Sequence, residues 1–307
     1  MRGRLAAALA AATCLLVGAC GGGADDERER VVVALDFTPN AVHAPIYAAR
    51  DLEVRAPGSA PDALKLVASG RADIGVLDIH DLGLAAERGG DLVGIGALVQ
   101  RPLAAIIARA DVRRPRDLEG RRVGVSGLPS DVAVLRAVLE GDGARLARVD
   151  QVTIGFAAVP NLVQRKIDAV PAFWNAEGVT LRRRGVRVRE FRVDDFGAPP
   201  YPEVVLFTAR RTLERRRGAI EGALRAIRAG IDETLADRAA ASARIARASG
   251  ADVALVRAQL DAVAPALRPP LRLDRAVLER WAEFDERFGI LTRRPDVDHL
   301  FDFGLAP

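Results

Sequence analysis

Short apolar runs rich in β-branched residues alternate with helix signals along this chain, in two successive blocks. The first run is Val31-Val32-Val33-Ala34-Leu35. It is continuous rather than alternating, which is the pattern of a strand buried on both faces. Thr38-Pro39 then sets a capping residue before a proline, so a helix is predicted over 39–50. Further strands are predicted at 52–55, 72–77, 92–99 and 103–108, with helices at 61–69 and 81–88 between them. The pattern restarts at Arg122-Val123-Gly124-Val125 and continues with strands at 151–156, 169–174, 186–191 and 204–208. Helices are predicted after Ser130-Asp131, over 159–166 and from Ala176, and beyond Thr212 the chain is mostly helical.

Alternation of this kind implies an α/β fold of parallel-rich sheets flanked by helices. Two blocks joined near Arg109 and again near Thr208 imply two lobes, 31–108 with 209–307 and 109–208, with one crossing and one return. Ligands of open α/β sheets sit beyond the carboxyl ends of the strands. Between two lobes those ends would face each other across a ligand cleft.

The N-terminus reads as an export leader. Arg2 and Arg4 precede an apolar run from 5 to 17, broken only by Thr13. The run is shorter than the roughly 20 apolar residues of a membrane-spanning helix. It has the flanks of a secretory signal. It ends in Leu16-Val17-Gly18-Ala19-Cys20, which resembles a bacterial lipobox: an aliphatic residue, two small ones, then cysteine. Residues 1–19 are expected to be removed and Cys20 to carry the lipid, anchoring the chain on the extracytoplasmic face of a cell membrane. Residues 20–30 are small and charged, the composition of a flexible tether.

Cys14 and Cys20 are the only cysteines, so the mature chain keeps only the anchored one. That excludes disulfides, zinc–thiolate sites and thiol catalysis. The formal charge is +4, and Lys65 and Lys166 are the only lysines. The arginines are scattered and aromatic residues are sparse, so there is no case for a nucleic-acid partner. No Gly-x-Ser-x-Gly elbow or His-Glu-x-x-His pair points to a hydrolase.

Leu35-Asp36-Phe37-Thr38-Pro39-Asn40, followed by His43 and Tyr47, resembles the opening of the substrate-binding proteins of ABC importers for thiamine pyrimidine precursors. These are similar to the yeast thiamine-pyrimidine synthases. The stretches 68–75, 117–125 and Ala172-Phe173-Trp174-Asn175-Ala176-Glu177-Gly178 agree with that family. The first two are shared with sulfonate and nitrate binders; the last is more specific. One departure stands out: Ala49-Arg50 runs almost directly into Asp51-Leu52-Glu53-Val54, where the family has a longer helix and an acidic loop. The resemblance implies a two-lobed periplasmic-binding-protein type 2 fold. It implies a monomeric, cofactor-free binder that closes on a small molecule and delivers it to a permease and its ATPase. The chain lacks the Cys-rich motif of the yeast enzymes, so a pyrimidine-biosynthesis activity is disfavoured. Riboflavin or an aliphatic sulfonate is the alternative cargo.

A flat aminopyrimidine needs aromatic faces and edge acceptors. Asp36 and Phe37 end a predicted strand, and Asn40, His43 and Tyr47 follow at helical spacings of three and four. Phe37, Tyr47 and Trp174 are candidates for stacking. Asp36 and Glu177 would accept from ligand amino groups, and Asn40 and Asn175 would fix the ring edge. Phe37 and Tyr47 equally suit the core of a small lobe, and His43 equally suits helix packing. His80 follows another strand and Tyr201 lies before the return crossing, so both are cleft candidates. Asp78 and Asp81 flank His80 without a set ligand geometry, so no metal is expected there. Ser126 and Gly127 open a helix whose amides could hold an anion, but Asp131 can cap them instead.

Overall fold

The computed structural model describes residues 30–57 and 62–305. The leader, Cys20 and the tether as far as Glu29 lie outside the described residues, as does the predicted helix start at Pro61.

In chain order the elements are β1 Val31–Ala34, α1 Ala44–Ala48, β2 Leu52–Arg55, α2 Asp62–Ala68, β3 Ile74–Asp78, α3 Ile79–Glu87, β4 Leu92–Val99 and β5 Ala104–Arg109. Then come β6 Arg122–Val125, α4 Pro129–Gly141, β7 Asp150–Thr153, α5 Ala158–Val163, β8 Ala169–Phe173, α6 Val179–Arg183, β9 Val188–Arg192 and β10 Val204–Ala209. Helices close the chain: α7 Arg210–Ala236, α8 Arg238–Ser249, α9 Val253–Val263, α10 Arg275–Phe288 and α11 Val297–Leu300.

Among the described residues the strands form two five-stranded sheets, in the orders β2-β1-β3-β10-β4 and β7-β6-β8-β5-β9. In each sheet four strands run one way and one runs against them: β10 in the first, β5 in the second. These two are the strands that follow a change of sheet. A chain leaving β4 at its carboxyl end enters the other sheet at that sheet's carboxyl edge, and can only run back through it. The changes of sheet occupy residues 100–103 and 193–203, so the boundaries expected near Arg109 and Thr208 fall at the far ends of β5 and β10 instead. Those apolar runs continue unbroken through the strands, and composition alone does not show which sheet a strand joins.

The first helix is much shorter than the helix predicted over 39–50. Asn40 stays extended and caps a single 3-10 turn, Ala41–His43, before α1. Asp51, at φ 61, then turns the chain into β2. What holds so short a helix is α7, whose apolar stripe of Ile220, Leu224, Ile227 and Ile231 covers the first sheet at helical spacing. Gly230 of that helix meets the carbonyl of Pro45, where a Cβ would collide with it. The two backbones thus touch, and α1 is fixed by contact rather than by its own length.

Candidate functional site

The pairing registers bring the carboxyl ends of the two sheets together. Val204 pairs with both Asp78 and Val99, at the ends of β3 and β4. Ala104 pairs with Phe173, at the end of β8. The crossings 100–103 and 193–203 therefore join the same edges of both sheets, and the loops after β1, β3, β6 and β8 border one cleft. The crossings are bonded to each other: Glu203 Oε2 accepts from the amides of Leu103 at 2.5 Å and Ala104 at 3.2 Å.

On the first lobe, Asp36 and Phe37 follow β1. Phe37 is 53% exposed. Asp36 Oδ1 accepts from His43 Nε2 at 2.7 Å, while His43 Nδ1 accepts the amide of Asn40 at 3.2 Å. An amide can only donate, so the proton of His43 sits on Nε2. Burial pushes the Asp36 carboxyl up, but its close contact and hydrogen bond with His43, together with local amides, outweigh it, and the net shift is downward. His43 is buried and Asn40 Oδ1 caps the amide of Val42 at 3.0 Å. Both shape the turn, and Asn40 Nδ2 donates to the Thr38 carbonyl at 3.1 Å. Tyr47 is half-buried against the first-lobe core, and burial raises its hydroxyl.

On the second lobe, Phe173 rather than Trp174 offers a ring. Phe173 is 36% exposed and Trp174 is 3% exposed. The indole of Trp174 donates to the carbonyl of Pro102 at 3.0 Å, and the Arg192 guanidinium lies 4.2 Å over its ring. It anchors the first crossing instead of stacking on a ligand in this conformation. Trp174–Gly178 forms one wide π-type turn. Within it Asn175 is buried with Oδ1 unpaired, and Glu177 Oε2 accepts the amide of Phe173 at 3.1 Å. Burial raises the Glu177 carboxyl. Ser126 and Gly127 stand at the mouth of α4, with Gly127 at φ +103, a turn that favours glycine. The anion position there is taken: Asp131 Oδ2 accepts the Ser126 amide at 2.6 Å, and Ser126 Oγ accepts that of Leu128 at 3.1 Å.

His80 and Tyr201, expected at the cleft edge, lie in the interior. Tyr201 is 0% exposed, its hydroxyl has no partner, and its ring meets His80 edge-on at 4.9 Å. Burial drives its hydroxyl well above 10. His80 Nδ1 sits 2.9 Å from Asp285 Oδ2. Burial disfavours a charge on His80, but Asp285 and Asp78 overcome it and lift the imidazole to about 10. Glu203 is buried and lifted to about 8, chiefly by burial and then by the charge of Asp78. Asp81, at the cleft surface, is raised to about 6 by desolvation and then by Asp78. The field of Asp78 also reaches Asp131 across the cleft, adding to the burial that raises it. Carboxylates from both lobes thus act on one another, and Phe37 and Phe173 are exposed at strand ends of the two sheets.

A family model described as NMT1/THI5 like matches residues 40–241. The chain belongs to this family. The formylaminopyrimidine-binding protein of Halalkalibacterium halodurans is 30% identical to it over 203 residues, which are 62% of this chain and 62% of the relative. The match therefore spans less than two thirds of that relative's length. In three dimensions the chain resembles the periplasmic aliphatic sulphonate binding protein SsuA of Escherichia coli, with TM-score 0.74 and 16% identity over 90% of this chain and 98% of SsuA. It also resembles the alkanesulfonate-binding SsuA of Xanthomonas axonopodis bound to MOPS, with TM-score 0.69 and 17% identity over 89% and 98%. The architecture is that of the periplasmic binding proteins.

In this NMT1/THI5-like chain, sequence reasoning missed Phe173, Glu203 and Asp285. Neighbouring strand residues point opposite ways, so one of Phe173 and Trp174 had to face inward, and the sequence did not say which. Asp285 had a readable signal: Leu278, Trp281, Ala282 and Asp285 share one face of α10 at spacings of three, four and seven, with a carboxylate in an apolar row. Glu203 had none, because its partners come from the other crossing.

Proposed function

We propose that this NMT1/THI5-like chain is an exported solute-binding lipoprotein of an ABC importer, anchored through Cys20. Its cargo is an aminopyrimidine precursor of thiamine, of the formylaminopyrimidine or hydroxymethylpyrimidine type. The observation that carries this reading is the pairing of exposed Phe37 and Phe173 with Asp36 and Glu177 on opposing strand ends. Two rings can sandwich a flat heterocycle, and two carboxylates accept from its amino groups. The similarity to a protein named for binding formylaminopyrimidine supports the same cargo. The lobes would close on it about the crossings 100–103 and 193–203, and the closed form would dock on a permease. Binding rather than catalysis is the role proposed.

A sulfonate cargo fits less well. The helix mouth that would receive an anion is filled by Asp131, and the surrounding cleft adds Asp36, Asp78 and Asp81. Like charges facing a sulfonate would repel it.

The test is the melting temperature of the unlipidated protein with hydroxymethylpyrimidine, formylaminopyrimidine, thiamine, riboflavin and an alkyl sulfonate. A ligand at 100 times its Kd adds about 2.7 kcal/mol, a shift of a few degrees. A shift with a pyrimidine alone supports the reading. A shift with riboflavin or the sulfonate alone overturns the cargo.

A further inference from the structure

Beneath the cleft lies a polar cluster whose histidine and glutamate are buried. Asp78 ends β3, His80 belongs to the first turn of α3, and Glu203 ends the return crossing. One ligand-capable atom from each lies within 4.8 Å of the others. His80 is 2% exposed and Glu203 1%, while Asp78 is half-buried. Each side chain is held in place from a different side. Asp78 Oδ1 accepts the His80 amide at 2.8 Å. Glu203 Oε2 accepts the amides of Leu103 and Ala104. His80 Nδ1 faces Asp285, and Trp281 Nε1 approaches the same nitrogen at 3.3 Å.

That arrangement leaves His80 Nε2 enclosed and without a partner. A buried nitrogen costs free energy whether it carries an unbonded proton or an unused lone pair. Asp78 and Glu203 pose the opposite problem, two acidic groups crowded into one poorly solvated space. A cation held between Nε2 and the two carboxylates would resolve both. The carboxylate of Asp285 behind Nδ1 fixes the ring orientation and leaves Nε2 facing no protein partner, where a metal ion would displace the proton that the ring otherwise keeps.

We propose that Asp78, His80 and Glu203 bind one divalent transition-metal ion, of which zinc best matches one imidazole nitrogen and two carboxylate oxygens. Asp285 is a positioning residue behind His80. The ion would tie β3 and α3 to the return crossing. The sequence shows only two of the three ligands near each other; the third arrives from the far side of the second lobe. Asp78 also borders the cleft, so the test reads zinc with no pyrimidine present.

The test strips the purified protein with a chelator and dialyses it against Zn2+ alone, reading zinc per chain and melting temperature. Co2+ in place of zinc reports the coordination through its visible spectrum. The expected result is one ion per chain, a melting temperature that rises with free zinc, and cobalt bands of a low-coordinate nitrogen–oxygen site. Asp78→Asn and Glu203→Gln should each weaken binding by at least about tenfold, while His299→Ala should not. The proposal is overturned if the wild-type protein retains no zinc. It is also overturned if both variants bind as well as wild type, or if His299→Ala abolishes binding. Should Glu203→Gln fail to fold, Asp78→Asn and the wild-type cobalt spectrum decide.

Discussion

His43 Nε2 donates to Asp36 Oδ1 across 2.7 Å, seven residues back along the chain. The bond closes the loop after β1 into a rigid corner, with Asn40 bonded to the other ring nitrogen. It holds Phe37 out at the cleft surface, because the residues on both sides of it are committed to the corner.

The corner makes stability depend on acid. The Asp36 carboxyl is lowered in the folded chain, so its contribution is fully present above the unfolded value near 3.8. It is lost as pH falls through the folded value. Asp36→Asn should cost about 1 kcal/mol near neutral pH and progressively less below pH about 4. Urea unfolding of both proteins at pH 7 and pH 3 checks this; an equal difference at both would sever the link to Asp36.

Glu177 shows the opposite sign. Burial raises its folded carboxyl above 4.5, so the folded protein holds a proton that the unfolded chain has released. Stability should fall as pH climbs through that window. Glu177→Gln keeps an acceptor for the Phe173 amide and removes the buried charge. It should be more stable than wild type at pH 7 and equal to it near pH 4, yet bind the pyrimidine more weakly. Paired denaturation and calorimetry separate the two effects.

Phe173 and Trp174 should part company on mutation. Phe37→Ala and Phe173→Ala remove exposed rings, so melting should hardly change, while pyrimidine affinity drops about tenfold or more. Trp174→Ala empties a buried site and orphans the Pro102 carbonyl. It should cost about 3–5 kcal/mol. Finding Trp174→Ala stable and binding-deficient would return the indole to the cleft.

Tyr201→Phe should be neutral or stabilising by about 1 kcal/mol, since its buried hydroxyl has no partner to lose. Pyrimidine binding should be unchanged. A loss of binding would mean that the hydroxyl reaches the cargo.

Gly230→Ala should destabilise by about 1–3 kcal/mol, because a Cβ there collides with the Pro45 carbonyl. The variant should also loosen α1, which hydrogen exchange at Ile46 and Tyr47 would report.

The sequence by itself determined the layer architecture. Continuous β-branched runs such as 31–34 and 92–99 have few ways to be buried except as inner strands, and their alternation with helices forces parallel-rich sheets. It also marked the first cleft loop, since Asp36, Phe37, Asn40 and His43 act within a few residues of one another. Tertiary structure alone decided the rest. Which of Phe173 and Trp174 faces the cleft depends on strand orientation, and the return crossing places Tyr201 inside. The cluster of Asp78, His80, Glu203 and Asp285 is assembled from four elements that meet only after both sheets have formed. Local patterns fix which face of an element is apolar. They carry no information about which distant element will cover it, and that contact sets burial, charge and the atoms left over for a ligand.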